Sequence, residues 1–120
     1  MTPLNMLLVA LGGAAGSVLR FVVSTLMVEL VGGAFPWGTL AVNVIGSAAI
    51  GLAGGAGLAG EWRLLLVTGV LGGFTTFSAF SLETGLLFER AWWLAALYVL
   101  ASLVLGLAAF ALCFWLGRRI

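Results

Sequence analysis

Asn43 is the only asparagine deep inside an apolar stretch of this chain. Its amide carries two N–H donors and one acceptor, so it suits either an interhelical hydrogen bond or the binding of an anion. Thr39, Asn43 and Gly46 follow at spacings of four and three, which puts them on one face of a helix. Phe77 and Phe80 share a face in the same way. Phenylalanines in such surroundings usually pack, but a ring edge is electropositive and can line an anion path without a fixed charge. Tyr98, Ser102 and Gly106 form a thin polar stripe at i, i+4 and i+8 on an otherwise apolar segment. Interhelical hydrogen bonding and a lining role are both open to it. Arg20 is the most demanding residue. In hydrocarbon it must snorkel to water or pair with helix-end carbonyls, and a fixed buried cation tends to trap an anion rather than pass it. Glu83 lies one turn beyond Phe80 and reads as a pairing or capping group near the end of its segment.

The run Gly72-Gly73-Phe74-Thr75-Thr76-Phe77-Ser78-Ala79-Phe80-Ser81 is poor material for an unbroken helix. A local unwinding is expected there. Broken backbone at membrane depth is tolerated only where protein or a watery cavity surrounds it. Freed carbonyls bind cations, and freed N–H groups and hydroxyls bind anions. A glycine kink with the threonines bonded back to the preceding turn is the alternative.

Other chemistries are excluded. There is no histidine, and Cys113 is the single cysteine, so neither a His/Cys metal cluster nor an internal disulfide can form. No nucleophile–base pair or metal set for an enzyme is visible. A net charge of +1 leaves no basic footprint for nucleic acid.

The elements that must position these residues follow from composition. Only 8% of the 120 residues are charged and 63% are hydrophobic, too little polar material to cover a water-facing globule, which typically carries about 25% charged residues. Charge is absent from Met1–Leu19, Leu30–Gly60, Leu64–Leu82 and Ala91–Gly117. A helix crossing the hydrocarbon core needs about 20 apolar residues. The chain therefore reads as one all-α transmembrane domain, residues 1–120, with spans at about 4–30, 37–57, 62–88 and 92–116. The first apolar pattern runs to Val28, too long for the core of a signal peptide. Trp37, Trp62, Trp92, Trp93 and Trp115 all fall at span ends, where the indole has apolar and wet surroundings together. The connections are short, so neighbouring spans should be antiparallel. Arg63, Arg118 and Arg119 on one side against Arg90 on the other weakly favour cytoplasmic termini, a bias small enough that both orientations are expected. The small-residue pairs Gly12/Gly16, Gly51/Gly55, Gly69/Gly73 and Ser102/Gly106 suit close helix packing, within a subunit or between subunits. Four such helices pack without a central hole, so any conducted ion should pass between subunits or along a shared groove.

Three motifs together carry a resemblance. Gly12-Gly13-Ala14-Ala15-Gly16-Ser17-Val18-Leu19-Arg20-Phe21, Pro36-Trp37-Gly38-Thr39-Leu40-Ala41-Val42-Asn43 and the Gly72–Ser81 run resemble the CrcB/Fluc family of fluoride channels, in motif order and over the whole length. The resemblance implies a four-helix subunit with a broken third transmembrane helix, working as a dual-topology homodimer of inverted copies in the bacterial plasma membrane. It implies two fluoride pores. Asn43 would donate to fluoride, Phe77 and Phe80 would present ring edges, and Ser78 would be a pore-side hydroxyl. Tyr98 and Ser102 would form a polar track, and Arg20 would sit near an aqueous vestibule. Gly72 and Thr75 carbonyls from both subunits would hold a central sodium ion. Ala79 departs from the threonine or serine usual in the family, and Gly106 stands where the track can carry another serine.

Fluoride is small and strongly hydrated, so a pore must offer donors in succession, and Thr39, Asn43, Ser78, Tyr98 and Ser102 could form that series. The lack of histidine and of a clearly mid-membrane carboxylate argues against proton-coupled pumping and points to a passive channel; the resemblance implies that such a channel exports fluoride and relieves its toxicity. A small-multidrug-type exporter would want a carboxylate in the middle of the first span, where Arg20 stands instead. A non-transporting assembly subunit would explain the glycines but not Asn43 or the Gly-Gly-Phe-Thr-Thr cluster.

Overall fold

Only 16 of the 120 residues are buried in the subunit, and large apolar side chains such as Leu11, Phe21, Leu86, Leu100 and Leu107 point outward. That inversion of the usual soluble pattern is what a lipid solvent produces. A computed structural model describes residues 1–120. It contains four helical spans long and apolar enough to cross a membrane: Pro3–Val31, Trp37–Gly55, Gly60–Arg90 and Trp92–Arg118.

Helix α1 (Pro3–Val31) starts where Thr2 caps it, its hydroxyl accepting from the Asn5 N–H at 3.1 Å, with Pro3 in the first turn. It stops at Gly32, whose φ of 81° only glycine adopts readily. Helix α2 (Trp37–Gly55) follows the Gly33–Pro36 turn and has no side-chain cap. The sequence suggested that this span runs to residue 57. It ends at Gly55 because the chain turns left-handed at Gly57, with φ 78°. The third span opens as α3 (Gly60–Arg63), continues as a π-helix over Leu64–Leu71, returns to α-geometry as α4 (Gly72–Phe74) and closes as α5 (Phe77–Arg90). Helix α6 (Trp92–Arg118) completes the subunit.

Glycines lock the spans together in two pairs. Helices α2 and α6 meet where Gly51 lies under Phe110 and Gly117 under Leu52; a Cβ on either glycine would come within 2.6 Å of a facing carbonyl oxygen. Helix α1 meets the π-helix and α4 through Gly12, Gly13 and Gly16 on one side and Gly69 and Gly73 on the other. The glycine pairs Gly12/Gly16, Gly51/Gly55 and Gly69/Gly73 thus pack inside one subunit. Nothing in the sequence announced the π-helix, in which the Gly72 N–H reaches the Val67 carbonyl. It places Leu65 and Gly69 against α1, and α4 places Gly73 there.

Between α4 and α5 two residues are extended, Thr75 (φ −85°, ψ 158°) and Thr76 (φ −153°, ψ 125°). Gly72 and Gly73 themselves stay helical. The Thr75 N–H and hydroxyl both return to the Leu71 carbonyl, at 3.0 and 2.9 Å. Thr76 caps α5, its hydroxyl accepting from the Ala79 N–H at 3.2 Å. A small core of Leu40, Leu87, Ala95 and Tyr98 sits at the end of the bundle that holds the Gly33–Pro36 turn.

Candidate functional site

Thr76 would leave two backbone groups unpaired at membrane depth, a costly state. Asn43 satisfies both. Its Nδ2 donates to the Thr76 carbonyl at 2.9 Å, and its Oδ1 accepts from the Thr76 N–H at 2.9 Å. The interhelical bond and the anion-donor reading are therefore compatible. One Nδ2 hydrogen is used and one remains. Arg20 serves the other side of the break: its Nε donates to the Gly73 carbonyl in α4 at 3.1 Å. This is the helix-end pairing foreseen for it, from a half-buried position. The Thr75 carbonyl receives no hydrogen bond within the chain.

A cavity of about 380 Å³ opens beside these residues. Asn43, Ser47, Thr75, Thr76, Phe77, Phe80 and Ser102 are on its wall, with Gly72. Phe77 stands at its rim, 78% exposed, in a place where only lipid or another subunit could cover an aromatic ring. Its ring centroid is 5.6 Å from that of Phe80, and Phe80 is 5.1 Å from Tyr98, which in turn meets Phe35 edge-on at 5.5 Å. The Ser78 hydroxyl is 3.3 Å from that of Thr76 but lies off the cavity wall.

Two hydroxyls break the rule that buried polar groups are paired. Tyr98 is fully buried, and its oxygen and that of Ser102 have no hydrogen-bond partner. The Tyr98 hydroxyl lies beside Thr39 and Glu83 without reaching hydrogen-bond geometry. The interhelical bond that could have occupied this stripe is thus not made.

A second cavity, of about 270 Å³, lies at the end of the bundle that holds the turn. Thr39 and Glu83 face it, together with Ser24, Phe35, Trp37 and Arg90. The Thr39 hydroxyl donates to Glu83 Oε1 at 2.5 Å. Its hydrogen is thereby committed to a carboxylate, and Glu83 is a partner in the interior rather than a cap. At 1.5 Å per residue Glu83 lies roughly 10 Å along α5 from Arg90.

The structure therefore gathers Asn43, Phe77, Phe80, Ser102, Gly72 and Thr75 around one cavity and assigns Thr39 to another. Tyr98 lies behind Phe80, between the two. Sequence reasoning passed over Thr76 and Ser47. Thr76 had a signal in the preference for threonine at the N-cap just before an apolar helical run; Ser47 is one turn beyond Asn43 and could have been found from that spacing.

A family model described as "CrcB-like protein, Camphor Resistance (CrcB)" matches residues 7–117. Among curated relatives, the "Fluoride-specific ion channel FluC" of Agrobacterium fabrum is 54% identical over 123 aligned residues, covering 98% of this chain and 98% of the relative. The protein of the same description from Rhizobium etli strain CIAT 652 is 56% identical, covering 85% of this chain and 86% of the relative. A third, from Chelativorans sp. strain BNC1, is 50% identical and covers 97% and 98%.

Proposed function

We propose, from the premise that this chain belongs to the CrcB family, that it is a passive fluoride channel in a bacterial membrane. It is a multi-pass membrane protein of a non-enzymatic family. The observation that carries the reading is unused hydrogen-bonding capacity in a buried place. Ser102 Oγ has no partner, and it shares a cavity wall with the free N–H of Asn43. A dehydrated fluoride needs several donors, and hydrogen bonds to a charged group contribute about 1.5–3 kcal/mol each. The Phe77 and Phe80 edges add attraction without a trapping charge. Tyr98 continues the donors past Phe80, and Ser78, near the rim, adds a hydroxyl on the proposed pore side.

The working unit in this reading is two inverted copies with two pores. The exposed Phe77 ring supports it, since a second subunit would cover that ring and close the cavity. Carbonyl oxygens of unwound backbone suit a sodium ion. The unpaired Thr75 carbonyl fits that chemistry, and with Gly72 it would hold the ion between the copies. The ion would fix two like backbone ends against each other. Arg20 would flank a vestibule, with only its Nε engaged inside the chain.

Fluoride efflux from liposomes containing the purified protein tests the reading. Efflux well above that of empty liposomes is expected, with chloride retained. Fluoride leaving no faster than from empty liposomes would overturn it.

Two substitutions probe the path. Phe80→Leu keeps apolar volume and removes the ring edge. Flux should fall about 5-fold, matching the roughly 0.5–1.5 kcal/mol of an aromatic edge contact. Undiminished flux would remove Phe80 from the path. Tyr98→Phe deletes a buried hydroxyl with no partner. The folded subunit should gain about 1 kcal/mol or stay unchanged in thermal unfolding, while fluoride flux drops several-fold. Loss of stability together with unchanged flux would show that the hydroxyl serves the fold instead.

A further inference from the structure

We propose that the cavity between the Gly32–Trp37 turn and Glu83 is an aqueous mouth of the ion path, and that Arg90 is the residue that steers anions into it. This rests on the channel reading given above and adds a specific end to the path.

Three observations meet at this cavity. First, Arg90 is held there. Its Nη1 donates to the Ala34 carbonyl at 2.7 Å, tying the last residue of α5 to the turn between α1 and α2. An exposed arginine would otherwise sample many rotamers; this bond keeps its charge at the rim. Arg90 is the only cationic residue on the cavity wall and Glu83 the only carboxylate. Second, α2 begins without a side-chain cap, and Gly38 and Thr39 of its first turn line the cavity. The positive end of the helix dipole therefore acts in the same direction as Arg90. Third, the cavity lies against the residues of the proposed path. Its inner wall carries Thr39 and Glu83 beside the unpartnered Tyr98 hydroxyl. The rings of Tyr98 and Phe80 then separate it from the cavity that holds Asn43 and Ser102.

The Glu83 carboxylate sets the problem that Arg90 answers. A negative group on the inner wall repels an entering anion, and Glu29 and Glu89 lie near the same end of the bundle. A cation fixed at the rim offsets that field where water still screens poorly, inside a cleft with low-dielectric walls. Steering of this kind weakens as ionic strength rises. A plain mechanical clamp between α5 and the turn does not.

The test is fluoride efflux from liposomes at low and at high concentration of an impermeant potassium salt. Parent, Arg90→Lys, Arg90→Gln and Arg90→Glu proteins are compared, and thermal unfolding confirms that each is folded. At low salt, Arg90→Gln should lose about 3-fold and Arg90→Glu about 10-fold, a single charge giving no more than the lower end of electrostatic effects on encounter rates. Arg90→Lys should stay near the parent. At high salt the four should converge. Equal flux from Arg90→Glu and a conducting parent at low salt overturns the steering role alone. Losses that are the same at both salts, or shared by Arg90→Lys, also overturn it and leave a clamp. A parent that conducts no fluoride overturns the channel reading and this proposal together.

Discussion

Replacing Asn43 with aspartate is expected to slow fluoride efflux about 100-fold. Aspartate has the same shape and keeps an acceptor for the Thr76 N–H, which now sits 2.9 Å from Oδ1. It loses both donors. One of them holds the Thr76 carbonyl at 2.9 Å, and the other is free toward the cavity. Loss of a hydrogen bond to an anion costs about 1.5–3 kcal/mol. At 1.36 kcal/mol per tenfold in rate this alone slows passage roughly 10- to 150-fold. A carboxylate on the wall adds repulsion. Asn43→Ser, which retains a small donor, should recover part of the rate. Initial efflux rates at matched protein density would decide the matter. Flux from Asn43→Asp at a rate near the parent's would show that the free N–H is not used. The folded state of each variant can be followed separately by thermal unfolding, since loss of the Asn43–Thr76 bond also weakens the tie between α2 and the start of α5.

The second large effect belongs to the fold. Gly12→Ala should destabilise the subunit by about 3 kcal/mol or more, toward the upper end of what overpacking costs. A Cβ there would stand 2.9 Å from the Gly69 Cα and 2.9 Å from the Val70 nitrogen. Both are backbone atoms of the π-helix and cannot rotate away as a side-chain end would. Gly13 is the control. No atom lies within 4 Å of a Cβ built on it, so Gly13→Ala should fold as the parent does. Thermal unfolding in detergent, with size-exclusion profiles before and after heating, distinguishes the two. If both alanine variants melt at the parent temperature, the close approach of α1 to the π-helix is not what holds the third span in place.

The sequence alone determined the parts of this protein that depend on solvent. Long uncharged stretches, short glycine-rich breaks and tryptophans at the ends give four spans, because the bilayer imposes a length and a polarity on any helix that crosses it. It also singled out Asn43, Arg20, Tyr98 and Ser102, because polar groups in so apolar a chain stand out by their cost. Their roles were another matter. Spacing leaves Asn43 equally suited to a structural bond and to an anion. Only the approach of α2 to Thr76 shows that one N–H makes the structural bond and the other stays free. Spacing likewise could not say whether the Tyr98–Ser102 stripe finds partners; the packing of α6 leaves both hydroxyls without any. Glu83 read as a group near the end of its span, and the tertiary structure turns it inward to Thr39. The π-helix over Leu64–Leu71 had no local signature either; it is seen only in the structure, where Gly69 lies against Gly12 of α1. Local propensity and solvent preference act on each residue within its own segment, so they are written in the order of the chain. Hydrogen-bond capacity left over after folding depends on which segments meet, and that is decided only when the glycine faces of α1, α2 and α6 have come into contact.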